Sequence, residues 1–345
     1  MATERIHEEC STLNKILCLK ETWDEYRGIA YAVASAISFS ISDLLIYESS
    51  NISHPLIIYL WISGWMFILS TAFLLVKRPY ILYTGTNSIK LLLTLTLNGL
   101  MVATGDVALT VAYVFTSPGD AVSINYTAPI YAGIFSVIFL RDRCRVWDII
   151  FIILSVIGVF LVVKPTIIFD KPLADTDVSY SIGIGLAIFS AIMTGATYVI
   201  GSYLGKNDIS PLIVLFFTAL AEIAISITLC TSFQQWGKIT DYSALQVFKL
   251  ISGGALWFLG SLLVFTAVQV ERPTFITIVM TSETFLVFLG GYVFLGLTTR
   301  WSAYLGAALI VVACIGSTAV RDRNTSSRTT ADGEGDEELL LVDQN

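Results

Sequence analysis

Apolar stretches of about 20 residues, long enough to span ~30 Å of hydrocarbon, recur along this 345-residue chain. Within lipid, each such segment must pair its own backbone groups, which favours helices. The chain is 55% hydrophobic and only 14% charged, too apolar for one soluble core. It is therefore predicted to be an all-α integral membrane protein with ten transmembrane helices. The segments lie at 28–47, 56–76, 90–115, 119–140, 147–163, 181–204, 210–231, 250–270, 273–297 and 300–320.

The distribution of basic residues predicts the orientation of these helices, because cytosolic loops are enriched in Lys and Arg. With the N-terminus in the cytosol, fifteen of the 20 Lys and Arg residues fall on the cytosolic side. Both termini are therefore predicted to be cytosolic. The pattern does not distinguish the plasma membrane from an endomembrane of the ER, Golgi or endolysosomal system. The five basic residues on the other side are Lys164, Lys171, Lys238, Lys249 and Arg300.

The two ends of the chain are polar. Residues 1–27 are charged and carry no cleavable signal peptide, so they are predicted to be a cytosolic segment. Residues 321–345 are acidic, lack aromatic residues and are predicted to be a disordered cytosolic tail. Within this tail, Asp336 precedes Leu340 and Leu341 with the spacing of an acidic dileucine sorting signal, which would bind a sorting adaptor.

A glycosylation sequon begins at Asn51, in a loop on the predicted non-cytosolic side. It lies close to the membrane, so we interpret Asn51 as a candidate for modification and no more.

The second half of the sequence repeats the scheme of the first. With an offset of 155 residues, the hairpin 112–118, which ends in Pro118, falls on 267–273, which ends in Pro273. The repeats are predicted at 28–165 and 181–320, joined by a non-cytosolic linker at 166–180. Five helices per repeat is an odd number, so the two halves have opposite topology. Inverted repeats are typical of secondary transporters, whose binding site lies near the midplane between the repeats.

The residues from Val107 to Pro165 resemble an EamA-type domain of the drug/metabolite transporter superfamily. The marks are a small–aromatic helix end at Ala112-Tyr113, a mid-helix Pro129, a "Leu-x-acid-Arg" exit that begins at Leu140, and Gly158 in the next helix. The length and the tail are most similar to the G-type branch of solute carrier family 35. The resemblance covers about residues 28–320 and implies transport of a small organic metabolite.

The second half departs from this pattern at two places. Thr284 stands where the first half has Pro129, and Leu297 stands where it has the acidic Asp142. A proline removes a backbone hydrogen bond and frees a carbonyl group. A helix break is therefore predicted at Pro129, in a helix that lines a cavity.

Four acidic residues fall inside the apolar segments, where a charge costs ~2.5–3.5 kcal/mol on insertion scales. No Lys or Arg lies well inside any segment. Each acid is therefore protonated, faces a wet cavity, or is hydrogen-bonded between helices in a structural role. We favour function for Asp106 and Glu283, which lie beside the two hairpins, then for Asp43, and least for Glu222.

Polar neighbours complete the predicted substrate- or ion-binding set. Asn98 and Asp106 lie about 80° apart around one helix and could face one cavity. Asn125 and Tyr126 precede Pro129, and a threonine stripe in the ninth segment flanks Glu283. Interhelical hydrogen bonding is the alternative role for these groups. The set is Asp43, Asn98, Asp106, Asn125, Tyr126, Thr277, Thr281 and Glu283.

Other patterns are interpreted as scaffold. Small residues recur every four positions from Gly28 to Ser40 and from Ala187 to Gly195, and this spacing allows helices to approach closely. Trp61, Trp65 and Trp257 could stack on a substrate, but packing or lipid-interface roles are favoured.

The leading functional hypothesis is a secondary transporter of a small organic metabolite, with a carboxylate as one substrate considered and a proton as the coupling ion. A nucleotide sugar ranks lower, because a diphosphate favours a basic residue in the cavity. The other alternative is a non-transporting regulatory or scaffold protein. No nucleophile–base pair, metal-ligand spacing or cofactor motif supports an enzyme. Predicted partners are the solute, the bilayer, a proton, the adaptor and a second copy of the chain, with no nucleic acid.

Overall fold

Twelve helical segments account for most of the computed structural model. It describes residues 23, 26–46, 55–77, 88–116, 118–141, 146–163, 178–234, 236, 243–295, 301–302 and 304–320. The helices are α1 (Tyr26–Ile46), α2 (Pro55–Lys77), α3 (Ile89–Phe115), α4 (Pro118–Asn125), α5 (Ala128–Phe135), α6 (Val146–Val163), α7 (Val178–Lys206), α8 (Pro211–Ser232), α9 (Ala244–Val270), α10 (Pro273–Met280), α11 (Ser282–Leu295) and α12 (Tyr304–Val320).

Nearly all of the predicted membrane segments correspond to helices of sufficient length. Within the described ranges, nine helices are long and apolar enough to cross a membrane, counting α4–α5 and α10–α11 as one crossing each. The helix Tyr304–Val320 is apolar but shorter. The chain is therefore an all-helical, multi-pass membrane protein over its described part. The predicted cytosolic segment and tail, including Asp336, Leu340 and Leu341, and the sequon at Asn51 lie outside the described residues.

Two tight hairpins occur where the sequence predicts them. Helix α3 ends at Phe115 and α4 begins at Pro118, while α9 ends at Val270 and α10 begins at Pro273. In both hairpins the first residue after the helix donates its backbone N–H to a helical carbonyl: Thr116 to Ala112 at 2.8 Å, and Glu271 to Ala267 at 2.9 Å. A proline at the next helix start loses no hydrogen bond there.

Both helices that follow these hairpins are broken after eight residues. The first break lies between Asn125 and Ala128, directly before Pro129, and the second lies at Thr281. At each break a threonine hydroxyl donates to the carbonyl three residues earlier, from Thr127 at 2.7 Å and from Thr281 at 2.6 Å. The second break therefore forms without a proline. Beyond α5 the first of these helices continues as a π-helical turn over Ser136–Leu140.

Helices of the two halves alternate around the core. Helix α3 packs against α7 and α8, and α9 packs against α2 and α7. Two serine hydroxyls on α1 donate to α9 carbonyls, Ser35 to Gly260 at 2.8 Å and Ser42 to Gly253 at 2.9 Å, so these two helices run antiparallel. The central space is consequently walled by both halves.

Small residues permit the closest approaches, as the sequence predicts. Ala32, Ala36, Ala187 and Ala191 are completely buried. A Cβ atom on Gly195 would lie 2.8 Å from the backbone nitrogen of Ala132 on α5. These small-residue stripes therefore hold the scaffold together through helix contact.

Gly99 is a position where a single methyl group is expected to be costly. A Cβ on Gly99 of α3 would lie 2.6 Å from the carbonyl oxygen of Phe217 on α8. We expect Gly99→Ala to lower the free energy of unfolding by about 1–3 kcal/mol, because backbone must move to admit it. The measurement is thermal unfolding of the purified protein, followed by tryptophan fluorescence. Gly185→Ala is the control, since nothing lies within 4 Å of its Cβ position; equal melting temperatures for the two variants would contradict the close contact.

Candidate functional site

A cavity of about 230 Å³ lies in the middle of the helix bundle. It is lined by residues from α1, α2, α3, α4, α5, α7, α8, α9, α10 and α11, so both halves of the chain contribute to it. Both helix breaks open onto it, through Asn125 and Tyr126 on one side and Met280 and Thr281 on the other. A cavity at mid-helix depth between broken helices is a common location of a solute site in membrane proteins.

All four acidic residues of the apolar segments line this cavity: Asp43, Asp106, Glu222 and Glu283. Among the described residues that line it there is no Lys, Arg or His. The three acids placed in the predicted site are thus brought together. Glu222, which ranked lowest, joins them and is only 2% exposed.

Two of these acids contact each other across the two halves. The side chains of Asp43 on α1 and Glu283 on α11 are hydrogen-bonded, and the Tyr126 hydroxyl also hydrogen-bonds to Glu283. Helices α1 and α11 approach closely at Ser40, whose hydroxyl donates to the Ala36 carbonyl at 2.6 Å and lies 3.2 Å from the Glu283 carbonyl oxygen. Two carboxyl groups can share a hydrogen bond only when one of them carries a proton.

The other two acids also come from opposite halves. Asp106 lies on α3 and Glu222 lies on α8, close enough for their charges to repel. Tyr198 of α7 lines the same cavity and lies within electrostatic range of both Asp106 and Glu283. The cavity therefore contains two cross-half pairs of acids.

The other predicted site residues are placed by the broken helices. Asn125 accepts a hydrogen bond from the Ser190 hydroxyl of α7 at 3.0 Å, which fixes its amide at the cavity wall. Thr277 and Thr281 line the cavity, and their hydroxyls donate to carbonyls of their own helix. Pro129 lies at the start of α5 and also lines the cavity. It cannot supply the N–H that the Asn125 carbonyl would accept in a continuous helix.

Asn98 is the exception among the predicted residues, because it does not line the cavity. It is completely buried, and neither atom of its amide group has a hydrogen-bond partner. Asn98 and Asp106 do share a side of α3, but eight residues separate them by about 12 Å along the helix. Asn98 therefore lies at a different level of the bundle from the cavity, and the expectation that it faces the same cavity as Asp106 was wrong.

Several residues that line the cavity were not predicted. Trp257 lies on its wall and contacts Phe39 edge-on, with ring centroids 4.8 Å apart. Thr218 and Tyr198 also line it. A sequence signal for Tyr198 existed, because it follows Asp43 by the repeat offset of 155 residues. Trp257 follows Val102, another lining residue, by the same offset.

Metal binding finds no support in the described ranges. No group of three or more His, Cys, Asp or Glu side chains there is arranged to hold a metal ion. The chemistry of the cavity is therefore that of carboxyl, hydroxyl, amide and aromatic groups.

Comparison with known proteins agrees with this architecture. Residues 26–164 match the model of the EamA-like transporter family. Solute carrier family 35 member G1 of Mus musculus is 27% identical over 300 residues, covering 85% of this chain and 78% of that protein. The protein of the same description from Homo sapiens is 26% identical over 307 residues, covering 87% and 81%.

A solved structure, described only as a crystal structure of a protein, superposes with a TM-score of 0.70. It is 14% identical in sequence, and the match covers 86% of this chain and 98% of that one. At this identity the likeness concerns the fold alone. The first half of the chain is thus similar to the EamA-like transporter family, and most of its length is similar to solute carrier family 35 member G1.

Proposed function

We propose that this protein is a secondary transporter that moves a small organic metabolite across a membrane by alternating access. The observation that carries the proposal is a central cavity lined by equivalent residues of two sequence repeats. The names of the relatives, which are solute carriers, and of the matching family, which is a transporter family, support it. No enzyme is named among them.

The equivalence of the cavity residues follows from the offset of 155 found in the hairpins. Of the residues that line the cavity, nine pairs are related by this offset, far more than two unrelated halves would share. The pairs are Phe39/Thr194, Asp43/Tyr198, Val102/Trp257, Asp106/Ser261, Leu109/Val264, Val122/Thr277, Asn125/Met280, Tyr126/Thr281 and Ala128/Glu283. This relation supports two inverted five-helix repeats of ten transmembrane helices in all, arranged about the cavity.

Alternating access follows from this symmetry. In an inverted repeat each half can adopt the conformation of the other, which exchanges the open and closed sides around a fixed site. The proposed topology has both termini in the cytosol. It puts the hairpin at Thr116 on the non-cytosolic side and the hairpin at Arg272 on the cytosolic side.

The acidic residues in the cavity support a proton-coupled mechanism of transport. Asp43 and Glu283 contact each other from opposite halves, and a proton held between them would offset the repulsion of two carboxylates. Loss of the proton would leave two like charges facing each other across the interface, which favours separation of the halves. Glu283 is therefore our first choice for the coupling residue and Asp106 the second. The charged and titratable groups around them are Asp43, Glu222, Tyr59, Tyr126 and Tyr198.

The charges of the cavity lining favour some classes of substrate over others. A nucleotide sugar carries two phosphate charges, and no basic side chain lines the described cavity to meet them. A carboxylate substrate meets the same difficulty unless the acids are protonated when it binds. A neutral or cationic metabolite fits the lining better.

Two-sided accessibility of the cavity tests the transport proposal without knowledge of the substrate. We expect a single cysteine at Thr218, in a background without the five native cysteines, to react with a membrane-impermeant thiol reagent from either face of the membrane. Alternating access exposes the same wall to each side in turn. The measurement is labelling in sealed right-side-out and inside-out vesicles.

The matched control is Leu220→Cys, two residues along α8. Leu220 is 43% exposed on the outer surface of the bundle and should face lipid, where a charged reagent does not reach it. Labelling of Thr218→Cys from one face only, under all conditions, would exclude alternating access and favour the regulatory or scaffold alternative.

A further inference from the structure

We propose that the cavity recognises an organic cation, whose ammonium group binds between Asp106 and Glu222. This inference rests on the proposed transport function and specifies the substrate class of the same cavity. It is carried by two acids from opposite halves on the wall of a cavity that has no described basic residue, together with a buried hydroxyl without a partner beside one of them.

The acids of the first pair interact with each other rather than with the open cavity. Asp43 and Glu283 hydrogen-bond to each other, and the Tyr126 hydroxyl adds a further contact to Glu283. Two carboxyl groups in contact direct acceptor positions at each other and offer fewer of them to a ligand. This pair is suited to coupling rather than to substrate recognition.

The second pair also comes from opposite halves. Asp106 lies on α3 and Glu222 on α8, close enough for their carboxylates to repel each other. Both line the cavity, which contains no described basic residue. An ammonium group between two carboxylates relieves their repulsion and gains charge-assisted hydrogen bonds, which are about twice as strong as neutral ones.

An independent observation at the same place indicates a ligand. Thr218 lines the cavity and is 1% exposed, and its hydroxyl oxygen has no hydrogen-bond partner. It lies four residues before Glu222 on α8, on the same face of the helix. A buried polar atom without a partner destabilises a structure, because its lost hydration is not replaced. An N–H donor bound beside Glu222 would satisfy this oxygen.

Aromatic residues of the cavity lining supply an apolar surface for the rest of such a ligand. Trp257 and Phe39 contact each other in this lining, and Phe265 also belongs to it. Aromatic faces attract organic cations through their quadrupole, most strongly when both are removed from water. An aromatic or alkyl amine small enough for about 230 Å³ would meet both kinds of surface.

Matched probes of one size test the charge requirement. Phenethylammonium, phenylacetate and 2-phenylethanol share a ring and a two-carbon arm but differ in charge or polarity. We expect only phenethylammonium to bind the purified full-length protein at neutral pH, measured by titration calorimetry and by the rise in melting temperature. Asp106→Asn and Glu222→Gln should each weaken its binding at least tenfold, and Thr218→Val about threefold.

Two controls separate recognition from folding. Glu271→Gln removes an acid outside the cavity and should bind phenethylammonium with unchanged affinity. Asp106→Glu and Glu222→Asp keep the charge and should retain most of the affinity, whether or not the neutral variants fold well. Each variant's melting temperature without ligand identifies a folding defect.

Three results would overturn the proposal: phenylacetate binding as tightly as the amine, no binding of phenethylammonium, or unchanged amine affinity in the double variant Asp106→Asn/Glu222→Gln. The thiol-labelling experiment at Thr218 reports alternating access independently. Two-sided labelling without amine binding would therefore reject the substrate class alone, while amine binding with one-sided labelling would reject transport alone.

Discussion

Glu283→Gln is expected to lower proton-driven solute accumulation at least tenfold in proteoliposomes that carry a pH gradient. The glutamine side chain matches glutamate in shape and still hydrogen-bonds to Asp43 and Tyr126, but it cannot bind or release a proton. Exchange of solute between the two sides at equal pH needs no net proton movement, so it should persist. The solute is one identified by comparing the metabolites of cells that lack and overexpress the protein.

The matched control for this experiment is Glu271→Gln, the same chemical change twelve residues earlier, in the α9–α10 hairpin and outside the cavity. Its accumulation and exchange should equal those of the unmodified protein. Asp106→Asn gives the second comparison, since Asp106 is the other candidate for coupling. If Glu283→Gln and Asp106→Asn both accumulate solute normally along the gradient, protons are not coupled through either acid.

The membrane segments could be predicted from the sequence because desolvation of the backbone is a large and local effect. A run of about twenty apolar residues has one stable arrangement in lipid, and no knowledge of its neighbours is needed. The hairpins at Pro118 and Pro273 were predictable for a similar reason, since proline restricts its own backbone and that of the preceding residue. Acids such as Asp43 also stood out, because an unpaired charge in hydrocarbon is costly.

What the sequence did not reveal depends on contacts between distant helices. The proximity of Glu222 to Asp106 could not be predicted, because Asp106 lies on another helix and more than a hundred residues away. Trp257 lines a cavity, but an aromatic residue that packs against a helix has the same local pattern. The helix break at Thr281 contains no proline, so the sequence did not indicate it. Asn98 was placed in the site because it shares a side of α3 with Asp106, but the side of a helix does not fix the position along its axis.

Reversal of the charge at Arg272 is expected to shift the protein toward a conformation that is open on the proposed cytosolic side. The Arg272 guanidinium, in the α9–α10 hairpin, forms an ion pair with Asp148 at the start of α6, with an N–O distance of 3.1 Å. This pair joins the α9–α10 hairpin of one half to α6 of the other. At the equivalent positions of the other half stand Ser117 and Ala303, which cannot form an ion pair.

Arg272→Glu replaces the attraction by repulsion between two carboxylates. Because Arg272 is 37% exposed, water screens the interaction, and a change of about 1 kcal/mol is the reasonable scale. That corresponds to a roughly fivefold change in the ratio of the two conformations. We therefore expect the cysteine at Thr218 to react several-fold faster from the cytosolic face in Arg272→Glu than in its parent.

The double exchange Arg272→Glu/Asp148→Arg distinguishes an ionic latch from a simple packing defect. It restores opposite charges at the same two positions, so the labelling rate from the cytosolic face should return close to that of the parent. A packing defect would persist or worsen with two substitutions. If Arg272→Glu leaves the rate unchanged, or the double exchange labels as fast as the single variant, the ion pair does not set the balance between the two open states. The asymmetry between the halves must then lie in the helix breaks, where Pro129 has no counterpart in the second half.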